Sequence, residues 1–382
     1  MRGFAGALER SWSGEAGSFA WTKALHHFAL GYHAASAGAR RRARAARKGL
    51  DGCHVIAIGN LTVGGTGKST IARWLAREAA GLRIATAVLL RGHGATAPAA
   101  ERGVVPDFYG YPLSRHCARY GDEALSLRSG LPHGVAVVVD PDRMRAARVA
   151  RSGYGARVLI LDDGWEQPRL AWNELWVALD PRRPAGNGSL LPAGPLRRPA
   201  SALREASRIV FLLEEPGEEI GDSTRAWLAR EAPGVPCLRL RRTMLGVSRA
   251  GSLERPEPLA PGSRVAVVSG IGSPLRLERF VRAAGLDLRF HAAFPDHARW
   301  SGASLTRALL LARREGAETA LITEKDEPRW PAELAAALPV RVIRTGVAPL
   351  DPVEEALRGI RAAAGIATAA EAAPARAEER RR

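Results

Sequence analysis

The chain has 382 residues, enough for two domains with sizeable cores, and its 46% hydrophobic and 25% charged residues are typical of a soluble globular protein. Its three cysteines are scattered without a CxxC pair, which argues against a disulfide framework or a cysteine-built zinc site and favours a reducing compartment. We predict neither a transmembrane helix nor a secretory signal, because no apolar run reaches the required length.

The net charge of +17 comes almost entirely from arginine, since only four of the 56 basic residues are lysines. A sequence-wide bias toward arginine and alanine explains most of this charge. Each retained lysine is therefore informative, because a compact ammonium and a planar guanidinium are not interchangeable in a tight site. Two of the four lysines, Lys68 and Lys325, lie in the short motifs GTGKST and TEKD.

The first predicted element is an amphipathic helical segment within residues 1–50. A basic run, RRRARAARK, follows its apolar stripe at residues 40–48. This combination suits the surface of an anionic bilayer, and it equally suits a helix docked on the protein's own core with a solvated basic end. Nucleic acid is a weaker third partner, because no base-reading motif accompanies the arginines. The stripe recurs at helical spacing and consists of Trp21, Leu25, Phe28 and Tyr32.

The rest of the chain alternates short apolar runs with helical patterns, which predicts an α/β fold with parallel strands. We predict a P-loop NTPase-like parallel-sheet domain plus a second, smaller α/β domain, with a cleft between them as a substrate site. The final residues are low in complexity and are predicted to be disordered. The predicted boundaries are 1–50 for the helical segment, 51–235 for the P-loop domain, 236–252 for a β-ribbon linker, 253–365 for the second α/β domain and 366–382 for the tail.

The stretch GNLTVGGTGKST, between a predicted strand and a predicted helix, has the pattern of a phosphate-binding loop. In such loops, backbone N–H groups surround the phosphates, a lysine binds the β- and γ-phosphate oxygens and a hydroxyl binds Mg²⁺. The first glycine of the general motif is replaced by Thr62. We therefore predict an ATP site with Mg²⁺ as cofactor. Its residues are Thr62, Val63, Gly64, Gly65, Thr66, Gly67, Lys68, Ser69 and Thr70.

A second motif, RVLILDDGW, ends an apolar strand with Asp162 and Asp163. Carboxylates at this position can hold Mg²⁺ directly or through water, so both are candidate metal ligands together with Ser69. TEKD does not match the N/T-K-x-D motif with which many P-loop proteins read guanine. Two alternatives stay open at this point: a P-loop kinase with some other acceptor, and a P-loop switch or binding protein.

Taken together, the motifs resemble the tetraacyldisaccharide 4′-kinase family, the lipid A 4′-kinases. The resemblance implies transfer of the ATP γ-phosphate to the 4′-hydroxyl of tetraacyldisaccharide 1-phosphate, a lipid A precursor, to form lipid IV-A. It also implies a cytoplasmic enzyme that is peripheral on the inner membrane. We expect no nucleic-acid partner, because the apolar N-terminal stripe favours lipid and binding to a phosphate backbone needs only basic residues. The similar stretches are GNLTVGGTGKST, LLRGHG, YGDEAL, LILDDGW, GNGSLLPAGPLR, VSGIGSP, FPDH and ITEKD.

The resemblance assigns catalytic roles to Asp122, His297 and Lys68. Asp122 in GDE matches the family's proposed base, and His297 in FPDH matches its partner. A carboxylate can accept the proton of a sugar hydroxyl as the phosphoryl bond forms, and a histidine can orient it. An Asp122 that only caps a helix is the structural alternative.

Other residues receive less definite roles. Arg143 and His93 are candidate contacts to substrate or phosphate, although the family usually has a tyrosine where this chain has His93. Lys325 is a candidate for closing the second domain against the first. Asp296, beside His297, can cap a helix or support the catalytic residues.

Near the DD motif the chain departs from the family pattern. Trp165 preserves the bulk of a phenylalanine, whereas Glu166 and Gln167 replace an amide and an imidazole. Arg198 stands where the family usually has a glutamate, which reverses the charge. If that acid supports the metal, Glu205 is a candidate to compensate.

Overall fold

The computed structural model describes residues 29, 31, 38, 41–98, 103–106, 113–215, 217–251, 255–295, 300–331, 334 and 337–365. Nearly every apolar run of these residues becomes a strand of one mixed sheet. The strands are β1 (His54–Asn60), β2 (Thr86–Leu90), β3 (Gly103–Val105), β4 (Ala136–Val139), β5 (Val158–Leu161), β6 (Glu174–Leu179), β7 (Arg208–Leu213), β8 (Cys237–Ser248), β9 (Arg264–Ser269), β10 (Asp287–Ala293), β11 (Thr319–Thr323) and β12 (Val340–Pro349).

Helices cover both faces of this sheet. None of the helices among the described residues combines the length and apolar composition needed to cross a bilayer. Short 3₁₀ turns lie at Leu113–His116, Ala200–Glu205 and Glu327–Arg329, and residues 41–45 are also helical. The helices are α1 (Lys68–Gly81), α2 (Cys117–Tyr120), α3 (Asp122–Ser129), α4 (Arg143–Tyr154), α5 (Asp222–Glu231), α6 (Pro274–Ala283), α7 (Gly302–Arg314) and α8 (Arg358–Ala363).

The strand order is β10-β9-β11-β12-β8-β7-β6-β1-β5-β2-β4-β3. We call β1–β7 the first half of the sheet and β9–β12 the second half. In the first half every neighbouring pair is parallel except the edge strand β3. Parallel strands must be covered on both faces, and here α1, α3 and α8 pack on one face while α4 and α5 pack on the other.

Strand β8 joins the two halves because its beginning pairs with β7 of the first half and its end pairs with β12 of the second half. Its first residues pair in parallel with β7, ending at Leu213↔Arg241. Its remainder extends beyond β7 and pairs antiparallel with β12, as far as Val342↔Ser248. Since β11 is parallel to β12 and β9 is parallel to β11, these strands run opposite to those of the first half.

This reversal creates the cleft. The carboxyl ends of β9 and β11 point back toward the carboxyl ends of the first-half strands, so the loops after both sets of strands face each other. Ligands of open α/β sheets bind at the carboxyl ends of strands. The described strands therefore form one continuous mixed sheet, with a largely parallel first half and a smaller second half, and the predicted α/β fold class is confirmed.

The prediction for the N-terminal segment can be followed only in part. The aromatic stripe and the tail at 366–382 lie outside the described residues. Within the basic run, Arg44 pairs with Glu205 at 3.0 Å, and Arg47 lies over the ring of Trp172 at 3.6 Å. Burial, followed by the charges of Arg198 and Arg44, lowers the pKa of Arg47 to about 10. The end of the run is thus docked on the protein itself.

Candidate functional site

The phosphate loop starts where β1 ends and is held in place by its neighbours. Thr62 forms an antiparallel bridge with Leu196, and the Val63 N–H donates to Pro195 O at 2.8 Å. Asn60 Nδ2 donates to Thr62 O at 2.5 Å. Thr62 is therefore in extended backbone, where a side chain is accepted. This explains why the first glycine of the general motif is not needed here.

Glycine is required at the other end of the loop. Gly67 has φ of 84° and precedes the first residue of α1. A Cβ at Gly67 would lie 2.5 Å from a Leu212 side-chain carbon, so both the backbone conformation and the space demand glycine. The loop then enters α1, whose buried residues Ile71, Leu75 and Ala79 recur at helical spacing.

Lys68 lies at the start of α1 and faces the DD motif. Its Nζ is 3.6 Å from Asp163 Oδ1, and Arg197 Nη1 is 3.3 Å from the same oxygen. Asp163 has φ of 54°, a left-handed conformation that is uncommon outside glycine and costs energy. Such strained residues cluster at functional sites. Two cations thus converge on one exposed carboxylate beside the loop.

Ser69 and Asp162 form the pair that fits Mg²⁺. Ser69 Oγ donates to Asp162 Oδ2 at 2.6 Å. Asp162 is buried, and its Oδ1 has no hydrogen-bond partner among the described residues. Burial raises the pKa of Asp162, and the Ser69 hydrogen bond and the Lys68 charge oppose that rise. A buried carboxylate oxygen without a partner, next to a hydroxyl, is a suitable ligand set for a hard cation.

The described residues contain no cluster of three or more His, Cys, Asp or Glu side chains with metal-binding geometry. Mg²⁺ normally takes one or two carboxylates and completes its shell with water and substrate phosphates. The ligand set of Ser69 and Asp162 agrees with that mode of binding, with Asp163 next in the chain.

Arg143 lies behind the DD motif rather than in the open cleft. It is buried, and its Nη1 and Nη2 donate to Asp140 O at 2.7 Å and to Asp162 O at 3.4 Å. Burial lowers the pKa of Arg143 to about 10, so the side chain remains charged at neutral pH. Its described contacts support the backbone of Asp140 and Asp162, and its role as a contact to substrate or phosphate stays a prediction.

The GDE motif reaches the same cleft from α3. Gly121 precedes the helix with φ of 83°, and Asp122 Oδ1 accepts from the Glu123 N–H at 3.0 Å. Burial, followed by the charges of Asp162 and Asp122, raises the pKa of Glu123, whereas His93 and Lys325 oppose the rise. GDE, the DD motif, His93 and Lys325 are therefore close enough to interact electrostatically.

Glu123 is the acidic residue that our sequence reasoning missed. It interacts electrostatically with Asp122 and Asp162 and belongs to the GDE motif. The resemblance assigns a role to its neighbour Asp122 alone, although GDE contains two acids. Lys325 contributes to the charge balance at Glu123, and its neighbour Glu324 forms a buried ion pair with Arg73 of α1, one of the contacts between the two halves.

His297 and Asp296 lie outside the described residues, so their predicted roles remain predictions. The residues on either side are positioned: Phe294 N–H donates to Ser269 O at 2.7 Å, and the rings of Phe294 and Trp300 are 5.4 Å apart. Trp300 in turn lies 5.4 Å from the Arg329 guanidinium, which is itself 3.8 Å from Asp122.

Two departures from the family pattern interact with each other. Arg198 Nε donates to Glu166 Oε1 at 2.5 Å, and its guanidinium lies 4.7 Å from the centre of the Trp165 ring. Glu205 accepts from Arg198 at 3.3 Å and pairs with Arg44. Both described ion pairs of Glu205 are with arginines, Arg44 and Arg198. They do not support its predicted role as a compensating metal ligand. Gln167 closes a local turn by accepting from Leu170 N–H at 2.9 Å.

A phosphate loop with its lysine and hydroxyl, a buried strand-end carboxylate and a second set of carboxyl-end loops facing them define an α/β P-loop protein of the phosphotransferase type. Similarity to known proteins makes this specific. A family model described as tetraacyldisaccharide-1-P 4′-kinase matches residues 21–358. The chain belongs to that family, which confirms the resemblance seen in the motifs.

Curated relatives of this chain carry the same name as the family model. The tetraacyldisaccharide 4′-kinase of Anaeromyxobacter sp. (strain K) is 39% identical over 325 residues, covering 82% of this chain and 83% of the relative. That of Geobacter sulfurreducens is 34% identical over 306 residues, covering 78% and 80%. The solved structure of LpxK from Aquifex aeolicus in complex with ATP covers 90% of this chain and 99% of its own, with a TM-score of 0.68 at 22% identity, and shows the same fold.

Proposed function

We propose that this protein transfers the γ-phosphoryl group of ATP to the 4′-hydroxyl of tetraacyldisaccharide 1-phosphate, forming lipid IV-A. The observation that carries the proposal is the family match over residues 21–358, in a chain that retains the phosphate loop and its partner carboxylates. The relatives named for this activity align with most of their own length.

The phosphate loop supplies most of the proposed binding. Lys68 and the loop N–H groups neutralise the phosphates, and Ser69, Asp162 and Asp163 would hold Mg²⁺ beside them. A Mg²⁺ ion held by these residues would supply positive charge beside the phosphates. Arg143 fixes the backbone of Asp162, so the carboxylate stays aimed at the loop.

Asp122 is the proposed base. Its carboxylate would accept the proton of the 4′-hydroxyl while the oxygen bonds to phosphorus and ADP departs with the electron pair of the broken P–O bond. His297 would orient this carboxylate. The described neighbours on both sides of the 296–299 segment are consistent with this, because Trp300 reaches Arg329 and Arg329 reaches Asp122.

We also propose that the protein is cytoplasmic and acts at the inner-membrane surface. The acceptor carries four acyl chains, and complete extraction from a bilayer would cost roughly 0.8 kcal/mol per CH₂. A surface-bound enzyme avoids that cost. Arg47 packs on Trp172 of the protein itself. Arg41 and Arg42 are exposed, and they would bind anionic lipid headgroups next to the predicted aromatic stripe.

The direct test is to incubate purified protein with Mg-ATP and tetraacyldisaccharide 1-phosphate and to detect a bisphosphorylated lipid by mass spectrometry. We expect Lys68→Ala and Asp122→Ala to abolish most product and His297→Ala to reduce it. Lys48→Ala, an exposed lysine, is the matched control. ATP hydrolysis that is unaffected by lipid, with no bisphosphorylated product, would instead indicate a P-loop switch or binding protein.

The membrane proposal has its own test. We expect the protein to sediment with vesicles containing anionic lipid and to leave them at high salt. The double substitution Arg41→Glu and Arg42→Glu should weaken sedimentation. The same reversal at Arg313 and Arg314, exposed at the end of α7, should have little effect. Equal loss in both double variants would show a nonspecific effect of net charge and contradict the proposal.

A further inference from the structure

The guanidinium of Arg329 is held in place through one of its nitrogens, Nη2. Arg329 ends the 3₁₀ turn Glu327–Arg329 in the second half of the fold, and its Nη2 donates to Gly270 O at 3.2 Å and to Asp326 Oδ1 at 2.9 Å. Asp326 is fully buried and accepts from Gly270 N–H at 3.1 Å and from Thr323 Oγ1 at 2.6 Å. The carboxylate that holds Arg329 is therefore itself rigidly held.

The other edge of the same guanidinium faces the GDE motif. Nε and Nη1 are buried, and neither has a hydrogen-bond partner among the residues that the structure describes. Nε lies 3.8 Å from Asp122 Oδ2, close enough for an ion pair and too long for a hydrogen bond. A buried donor left unsatisfied is unfavourable, so a small approach that completes the bond is favoured.

Only a short movement would bring the Arg329 guanidinium within hydrogen-bond distance of Asp122. Cys117 Sγ, in the helix before Asp122, already contacts Pro328 O at 3.3 Å, and the guanidinium of Arg329 lies 5.4 Å from the centre of the Trp300 ring. Shortening the distance between Arg329 and Asp122 by about 1 Å would produce a normal charge-assisted hydrogen bond. Asp122 Oδ1 accepts from the Glu123 N–H, and a bond from Arg329 to Oδ2 would add a further constraint on the direction of the carboxylate.

We propose that Arg329 is a positioning residue for Asp122: it donates to the carboxylate when the substrates are bound and fixes the direction in which the acceptor hydroxyl must approach. This inference rests on the proposed function, because it needs Asp122 to act as the base. The residue comes from the opposite half of the cleft, so the base is oriented only when the two halves are together. Lysine would supply the charge without the rigid fork.

The test separates orientation from folding and from substrate binding. We expect Arg329→Met to lower kcat about 10- to 100-fold with the KM values for ATP and lipid changed less than about twofold, since misorientation affects the chemical step. Arg329→Lys should recover part of the loss. The control is Arg282→Met, which removes an arginine of the same half that binds only Leu288 O among its described hydrogen bonds.

A double-mutant cycle gives the decisive comparison. If Arg329 acts through Asp122, then Arg329→Met should cost nothing further in an Asp122→Asn background. Multiplicative losses, or an unchanged kcat in Arg329→Met, would overturn the inference. A loss that follows a fall in the unfolding temperature in both Arg329 variants would overturn it too, as a structural role. A wild-type protein that forms no bisphosphorylated lipid would contradict the proposed function instead.

Discussion

Glu324 connects the two halves through a buried ion pair, and breaking that pair has a predictable cost. Its Oε2 lies 2.5 Å from Arg73 Nη1 and accepts from Thr345 Oγ1 at 2.8 Å. The exposed fractions of the two charged side chains are 8% and 10%. Arg73 also donates to Ser126 O, in the helix that begins with Asp122. One arginine of the P-loop helix therefore contacts both α3 and the second half.

We expect Glu324→Gln to reduce the free energy of unfolding by about 3 kcal/mol, because it leaves a buried guanidinium without its counter-charge. Burial alone would raise the pKa of Glu324, but Arg73 and Arg344 outweigh it and the pKa lies below the usual value. The stabilisation is thus present above the unfolded pKa of about 4.3 and is lost as the pH falls through the folded value. The difference between variant and wild type should shrink below about pH 4.

The assay is urea unfolding followed by tryptophan fluorescence at pH 7 and at lower pH. Glu318→Gln is the control, because Glu318 pairs with Arg264 at the surface and is 61% exposed, so about 0.5 kcal/mol or less is expected. The double variant Arg73→Met/Glu324→Leu should be more stable than the sum of the single losses implies. Equal stabilities of Glu324→Gln and Glu318→Gln would refute the reasoning.

Three further predictions follow from the loop and the DD motif. Asp162→Asn should abolish transfer yet raise the unfolding temperature without Mg²⁺, because burial raises the pKa of that carboxyl and so opposes its charged form; a fall in the unfolding temperature would contradict this. Arg198→Glu should lower thermal stability, and adding Glu166→Arg should restore part of it, which a double-mutant cycle by calorimetry would measure. Gly67→Ala should cost about 1–3 kcal/mol and weaken ATP binding, whereas Gly65→Ala, with open space at its Cβ, should not.

Local features of the site were predictable from the sequence. The run HVIAIGN is β1 residue for residue, and the helix after the loop begins at Lys68 as a phosphate loop requires. The paired acids follow β5, where strand-end carboxylates were expected. These features depend on hydrophobic runs and on spacing within one motif, which a single sequence displays directly.

Features that depend on distant residues were not predictable. The pairing of Arg198 with Glu166 joins residues that are far apart in the chain, so each looked like an isolated departure from the family. The reversal of the second half also depends on β8 pairing with β12, and no local pattern specifies the partner of a strand. The prediction for TEKD concerned Lys325 and not Glu324, because a four-residue motif does not show which of its side chains is buried in an ion pair.

The path of the chain through β8 and β12 has a topological consequence. Residues 249–341 leave from Ser248 and return at Val342, which are directly paired neighbours. The final helix, α8, then packs back on the first core through Leu357 and Ile360. Strands β9–β11 and helices α6 and α7 are therefore inserted into the hairpin of β8 and β12, and a tight turn joining Ser248 to Val342 would leave those two strands paired.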